Sequence, residues 1–386
     1  MSRNTGISAT VLRRAAVSAA LLTAAVPAAQ ATGFQEHTLS ASGLGLANAL
    51  GADAEHVSSM AYNPAALGFQ EGLHLEGGVL RQYGKLESQG LGTSRPDSDL
   101  FIHDLYATYG DAASPFRFGL AVNRPFRMDS DWSVDSAAED NGTATRTELD
   151  LVDVNPTVAY RLRPDVAFAL GADYYYARDF EYSSVVGGGE RVRKGDGDGW
   201  GGTAGLMFWR EGWSMALTYR TGADLEVSGK NLDHTLRLPA RARLGIKWRP
   251  SLRWSVHADV VRTSWSAYEG LEGPDVHEPE KDWDTTLGYR LGAMARLSDR
   301  ADLRFGYSYD ADPKDDTTFD PRSDIGNRHM LTLGFGWDGD LLRYNLGYGY
   351  AISPSRDVDG AAIAEYDGRN DTTAQYLMFS LGYSAF

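Results

Sequence analysis

The residues of this chain that could carry chemistry fall into a few small groups. Ser255, His257 and Asp259 alternate, so a strand would place all three on one face, the makings of a nucleophile, a base and an acid. No nucleophile elbow or second histidine accompanies them, and a polar row lining a lumen accounts for them. Asp196-Gly197-Asp198-Gly199 has the D-x-D spacing that opens a calcium loop, yet it lacks the later ligands and reads as a turn in a polar loop. Gly43-Leu44-Gly45 follows no strand and completes no G-x-G-x-x-G, which argues against dinucleotide binding. His277-Glu278 and His329 stand isolated. Cysteine is absent, which removes disulfides, thiolate metal sites and cysteine nucleophiles. The expectation is a protein that is not an enzyme and needs neither cofactor nor metal.

What must position these residues is legible in the hydropathy pattern. The first 31 residues carry Arg3, Arg13 and Arg14, the apolar stretch Ala15–Val26, Pro27 and the triplet Ala29-Gln30-Ala31. A basic start, a short apolar core and a small-residue cleavage site make a secretory signal. Its removal takes away three Arg and no acid, from a chain with 37 Lys+Arg against 52 Asp+Glu. Nucleic acid is not the partner of so acidic a protein, because its footprint would be basic. The mean hydropathy is −0.36, and no apolar run reaches about 18 residues. That excludes a helical membrane protein but not a membrane β-barrel, whose strands alternate. Residues 32–72, rich in Gly, Ala and Ser, show no sustained alternation and read as loop and short helix.

From Leu73 onward apolar residues recur at every second position. Val166, Phe168, Leu170, Ala172, Tyr174 and Tyr176 form one row. Trp213, Met215, Leu217 and Tyr219 form another, with Ser214, Ala216, Thr218 and Arg220 on the opposite face. Successive strand side chains point to opposite faces, so each run has one apolar face and one polar or glycine face. Short turns such as Arg163-Pro164-Asp165 alternate with long polar segments at 129–146, 187–199, 269–284, 310–327 and 353–373. Short turns on one side and long loops on the other are the habit of bacterial outer-membrane barrels. Aromatic residues at run ends, such as Trp248, Tyr307 and Trp337, suit the membrane interfaces. Phe386 closes the row Leu377, Phe379, Leu381, Tyr383 on the opposite parity, which a one-residue bulge would repair. A terminal aromatic is the mark read by the barrel assembly machinery. A soluble propeller or sandwich would also alternate, but no blade-length repeat is present. The expected fold class is all-β: an antiparallel outer-membrane β-barrel over residues 73–386, in contact with outer-membrane lipid.

With these rows in place, the chain resembles the FadL-type outer-membrane transporters of long-chain fatty acids and other hydrophobic compounds. The resemblance rests on five stretches in order. They are Thr32-Gly33-Phe34-Gln35 with Ser40–Gly45; Asn63-Pro64-Ala65; Tyr176-Ala177-Arg178 with Glu181; Leu238-Pro239 leading to Asp259 and Ser264-Trp265-Ser266; and Arg304–Tyr307 with Asp310, Pro313 and Asp324 to Arg328. It implies a barrel of 14 strands in the bacterial outer membrane, plugged by an N-terminal hatch over residues 32–72. Residues 73–386 allow about 22 residues per strand and connection, against ~9–11 needed to cross. It also implies passive uptake by a monomer: a hydrophobic small molecule, a fatty acid first or a hydrocarbon, is held beside the N-terminal segment and released sideways through the wall. Phe34 is the implied ligand contact. Gly43, Gly45, Asn63, Pro64 and Ala65 are the implied hatch and gating residues, glycine permitting close packing or a positive φ and proline a fixed bend. The basic residues that hold a carboxylate in fatty-acid members have Tyr182 and Asp284 as approximate counterparts here. Since a buried carboxylate needs a cation or several donors, either the ligand is a different hydrophobe or another arginine, such as Arg178 or Arg290, serves. The alternative is a non-transport barrel (adhesin, receptor or structural protein), which would lack an internal apolar pocket. A barrel lipase comes third and would need Ser, His and an acid or amide in contact on the outer wall.

Overall fold

The computed structural model describes residues 33–96, 101–132, 144–186, 189–270, 281–322 and 326–385. The signal segment and Phe386 lie outside the described residues. From Gly72 onward the chain is built of strands: β1 (Gly72–Ser88), β2 (Gly92–Ser94), β3 (Phe101–Gly110), β4 (Phe116–Asp131), β5 (Ala144–Arg163), β6 (Val166–Val186), β7 (Gly189–Arg210), β8 (Trp213–Arg220) and β9 (Ala223–Lys230). The series continues with β10 (Leu232–Leu238), β11 (Ala240–Ser251), β12 (Trp254–Ser264), β13 (Thr285–Arg296), β14 (Ala301–Asp310), β15 (Arg328–Asp338), β16 (Leu342–Val358) and β17 (Gly368–Ala385). β7 pairs with both β8 and β9, so those two are one strand broken at Thr221-Gly222. β10 pairs with β9 and β11 with β8, so β10 and β11 are likewise one strand, broken at Pro239. β2 and β3 both pair with β1 and count as one strand too, so fourteen antiparallel strands follow one another round a closed ring, and β17 returns to pair with β1.

Two sequence expectations change. The register of β17 against β1 runs unbroken from Asn370 opposite Ser88 to Ala385 opposite Leu73, so the bulge expected near the end is absent up to Ala385. The segment 187–199 is mostly strand, and Asp196–Gly199 is no turn, because β7 runs 22 residues from Gly189. It keeps the period of two beyond the membrane, with Asp196 and Asp198 exposed and Gly197 and Gly199 buried. β16 and β17 likewise extend into the segment 353–373.

The apolar rows face outward. Leu331 is 65% exposed, and Leu73, Phe118, Leu244 and Leu381 share that face, as lipid contact requires. The inward face is polar or glycine because it meets the hatch. There Ser40 caps the short helix α1 (Ala41–Gly45), its Oγ accepting the Gly43 N–H at 3.0 Å. Two 3-10 turns, Val57–Ala61 and Pro64–Phe69, follow. Wall glycines let the hatch backbone touch the wall. A Cβ on Gly334 would lie 2.7 Å from the Gly45 Cα, one on Gly306 2.6 Å from the Ala47 nitrogen, and one on Gly347 2.7 Å from the Ala41 carbonyl oxygen.

Wall side chains then tie down hatch carbonyls. Ser214 donates to Ala52 O at 2.6 Å, Arg243 to Asn48 O at 2.9 Å, Arg343 to Glu55 O at 2.8 Å and Arg117 to Gln70 O at 2.8 Å. Lys247 pairs with the buried Asp53 at 2.7 Å.

At the outer end, the long connections fold over the ring as a lid. Trp132, Phe319, Ile363 and Tyr366 pack there with Leu86 and Leu91. Beside them Lys281 meets Asp320 at 3.0 Å, Arg322 pairs with the same carboxylate, and Arg356 reaches Asp312 at 3.1 Å. Burial pushes the Asp320 carboxyl up, but Arg322 and Lys281 hold it well below the usual carboxylate range.

Candidate functional site: a chamber filled by Phe34

The N-terminal segment enters the barrel extended and joins the wall. Gln35 bridges Phe126 of β4; the Glu36 N–H donates to the Pro125 carbonyl at 2.9 Å, and the Arg127 N–H to the Phe34 carbonyl at 3.0 Å. Gly33 takes φ +57° against the Trp265 ring, where any Cβ would lie 2.7 Å from the indole. This register drives the Phe34 ring into an aromatic nest, 5.7 Å from Phe126, 5.0 Å from Trp265, 5.1 Å from Tyr268 and 6.5 Å from Trp283. Trp265 and Tyr268 come from the turn after β12, and Trp283 from just before β13. Leu225, Leu236 and Leu238 of the β9–β10 hairpin complete the wall. Ring pairs at such separations contribute about 0.5–1.5 kcal/mol each beyond burial. The chamber is apolar, and its occupant is the chain's own side chain.

Beside it the wall ladder is interrupted. β3 pairs with β1 along its length but with β4 only between Leu105 and Gly110. β4 is irregular against β5 as well, its register shifting between Asn123 and Phe126, across Pro125, which has no N–H to give. The backbone of Phe34–Glu36 takes ladder positions on β4 beyond the point where β3 stops pairing. Side chains span the break: the Arg124 and Arg127 guanidinium groups lie 5.2 and 5.5 Å from the Phe101 ring centre, and His103 Nε2 donates to the Thr38 carbonyl at 2.6 Å. A cavity of about 70 Å³ runs along Phe34, Gln82, Arg127 and Tyr376. The more spacious cavity, about 470 Å³, lies at the short-turn end among Glu55, Glu71, Asp338 and Asp340, away from the aromatic nest.

Charge inside the barrel is mostly paired. Arg220 meets Asp153 at 2.6 Å and Asp173 at 2.5 Å, and Arg243 meets Asp259 at 2.6 Å. On the hatch, burial and then Arg290, Arg328, Arg243 and Arg241 hold the His37 imidazole well below its ordinary value, which keeps it neutral.

The residues singled out from sequence are not all brought together. Phe34 is central. Arg290 points inward but is bound to Asp310 and to the Tyr289 and Tyr309 carbonyls at 3.2 Å. Arg178 lies outside, 70% exposed beside Asp179. It shares the outward parity of Tyr174 and Tyr176, so the strand that resembles the family carries it to the wrong face for a ligand contact. Tyr182 belongs to the chamber cluster, with Arg193 and Arg322 centred 5.6 and 5.1 Å from its ring, whereas Asp284 is exposed.

Gly43, Gly45, Asn63, Pro64 and Ala65 are clamps of the plug. Neither glycine has a positive φ; Gly43 leaves room for the Tyr62 hydroxyl and Gly45 for the wall at Gly334. The Asn63 Oδ1 accepts the Ala65 N–H at 3.0 Å, its Nδ2 donates to Gly51 O at 3.1 Å, and Pro64 opens the 3-10 turn. Ser255 and His257 do touch, at 3.0 Å, but both are buried, and Asp259 is turned to Arg243 and the Gly51 N–H. These three residues therefore do not form a lipase-like group on the outer wall. Sequence reasoning missed Phe126 and Trp283, which line the nest around Phe34.

These features define a plugged outer-membrane channel. The profile of the outer membrane protein transport protein family (OMPP1/FadL/TodX) matches residues 22–181 and 191–384, and the chain belongs to that family. It is 22% identical over 410 residues to outer membrane protein P1 of Haemophilus influenzae, covering 86% of this chain and 85% of the other. It is 22% identical over 345 residues to a long-chain fatty acid transport protein of Salmonella typhi, covering 74% and 79%. In fold it is similar to a Pseudomonas aeruginosa FadL homologue, with a TM-score of 0.80 at 16% identity over 92% of this chain and 100% of that one. The P. putida toluene transporter TodX gives a TM-score of 0.61 at 16% identity, over 86% and 94%.

Proposed function

We propose that the protein takes up hydrophobic molecules, long-chain fatty acids first, by capture in the Phe34 chamber and sideways release at the β3–β4 break. One observation carries the reading. The segment Phe34–Glu36 fills the chamber with its ring and, through its backbone, occupies the β4 edge at the break. A solute that displaces the ring loosens that short ladder, so capture and opening share one moving part. An apolar solute gains about 25 cal/mol per Å² on leaving water, which supplies the drive without an energy source. The relative named as a fatty acid transport protein supports this ligand class. The aromatic lining and the likeness to a toluene transporter support a monoaromatic hydrocarbon as the second reading. A barrel serving only adhesion or structure would have no use for the chamber.

The test is binding of a labelled long-chain fatty acid and of toluene to detergent-purified protein, followed by quenching of Trp265 and Trp283. Saturable binding of the fatty acid supports the first reading and of toluene alone the second. Binding of neither overturns both.

A further inference from the structure

The cavity of about 470 Å³ at the short-turn end is formed where the hatch meets the barrel seam. That end faces the periplasm in bacterial outer-membrane barrels. Ala54, Val57 and Phe69 of the hatch and Leu342 of β16 supply apolar wall, and Glu55, Glu71, Glu76, Asp338 and Asp340 bring carboxyl groups to it. Most of these acids have a cation. Glu55 meets Lys247 at 3.1 Å, Glu71 meets Arg161 at 3.1 Å, Asp340 meets Arg300 at 2.6 Å, and Asp338 pairs with Arg343.

Glu76 differs. It is 3% exposed; one oxygen accepts from the Ser380 hydroxyl at 3.1 Å, and the other, Oε2, has no hydrogen-bond partner. Arg343 lines the same cavity and its charge reaches Glu76, but its nitrogens are committed to the Asp338 carboxylate and, at 2.8 Å, to the Glu55 carbonyl. Asp104 of β3 lies opposite Gly78, one inward position along from Glu76, and neither of its oxygens has a partner. Gln70, 9% exposed in the cavity wall, gives its amide N–H to the His56 carbonyl at 2.9 Å, which leaves its Oε1 without a donor.

These unmet groups are all acceptors, so what completes them is a donor, and the surplus of carboxyl groups makes it a cation. Among the described residues no cluster of three or more acid, histidine or cysteine side chains could hold a metal ion, and the volume suits an organic molecule. We infer that this pocket binds a small organic cation, an ammonium or guanidinium whose short apolar stem lies on Val57, Phe69 and Leu342. The charged group meets Glu76 and Gln70. Because the walls come from the hatch, from β1 and from the β15–β16 turn, a bound cation pins the plug to the barrel from the periplasmic side. The site lies apart from the Phe34 chamber and does not rest on the uptake reading.

The experiment titrates detergent-purified protein with pentylamine, which is protonated at neutral pH, and with pentanol, its uncharged counterpart of equal length. Calorimetry and thermal unfolding are the readouts. The wild type is expected to bind the amine saturably, at least about tenfold more tightly than the alcohol, and to unfold at a higher temperature in its presence. Glu76→Gln loses that preference by weakening the amine alone, and Gln70→Leu weakens the amine severalfold. Arg178→Gln, altered on the outer face, matches the wild type. Equal affinity of the wild type for amine and alcohol, or saturable binding of neither, overturns the site. So does unchanged amine affinity in Glu76→Gln that retains the heat-modifiable gel mobility of a folded barrel. Should Glu76→Gln not fold, the wild-type comparison and Gln70→Leu decide. No fatty acid enters these titrations, so failure of the cation site and failure of the uptake reading are told apart.

Discussion

Phe34 behaves as a ligand that the chain supplies to itself, so any solute must compete with it. A site whose competent state is only partly populated shows an affinity reduced by that fraction. Phe34→Ala is therefore expected to bind palmitate severalfold more tightly than the wild type, while losing about 3–5 kcal/mol of local packing. Equal or weaker binding in a titration of the folded variant would remove Phe34 from the role of competitor. The identity of Phe34 could be anticipated only by resemblance, because it lies in a segment with no periodicity. The inward aim of Trp265 and Trp283 was hidden for a related reason: they sit in connections, where no face rule says which way a side chain points. Arg178 shows the converse, since a motif match put it in the site while simple parity puts it on the outside.

Elements were more legible because the two faces of a barrel strand meet different surroundings, lipid outside and a packed plug inside. The rule failed at 187–199, where aspartate and glycine alternate above the membrane and Val192 is the one apolar residue. It was also silent on the break in β4, a missing ladder that depends on Pro125 and on a third partner from the N-terminus. Deleting Pro125, so that Arg124 alone faces Val152 between the Asn123–Asp153 and Phe126–Leu151 pairs, is expected to let β4 run in regular register beside β5 and pair on with β3. Transport of labelled fatty acid in cells should then fall at least about tenfold with binding to purified protein retained; unimpaired transport would rule out this exit. The contact between Gly334 and Gly45 gives a second test. A leucine at 334 has no space, because the nearest atom is hatch backbone. Gly334→Leu should dislodge the plug and raise ion conductance in planar bilayers, while the barrel still folds.

At the scale of the molecule, the chain is closed at both ends, by the hatch below and the loops above. The Asp320 carboxyl, whose ordinary value is near 3.8, is held lower in the folded lid. A depressed value contributes stability that is present above the unfolded value and lost as pH falls through the folded one. The lid should therefore stay shut in mildly acid solution and loosen only below about pH 4. Asp320→Asn leaves Lys281 and Arg322 without their shared partner and should cost about 3–5 kcal/mol. Protease cleavage within 310–322, measured against pH, checks both: the wild type becomes susceptible only in strong acid, the variant at neutral pH. A wild-type lid cut equally at pH 7 and pH 3 would contradict the ion-pair account.

The close fit of glycine against glycine between wall and plug also bears on how the molecule is made. A finished ring offers no clearance through which the hatch could be threaded afterwards. The chain enters β1 directly from the hatch, and the last seam joins β1 to β17, its two ends in sequence. The plug must therefore already be gathered inside the unclosed sheet when those edges meet. That final zippering closes a loop of about 300 residues, the kind of long-range pairing that is slow on entropic grounds. The order of events in time, plug first and seam last, is thus set by how little room the glycines leave.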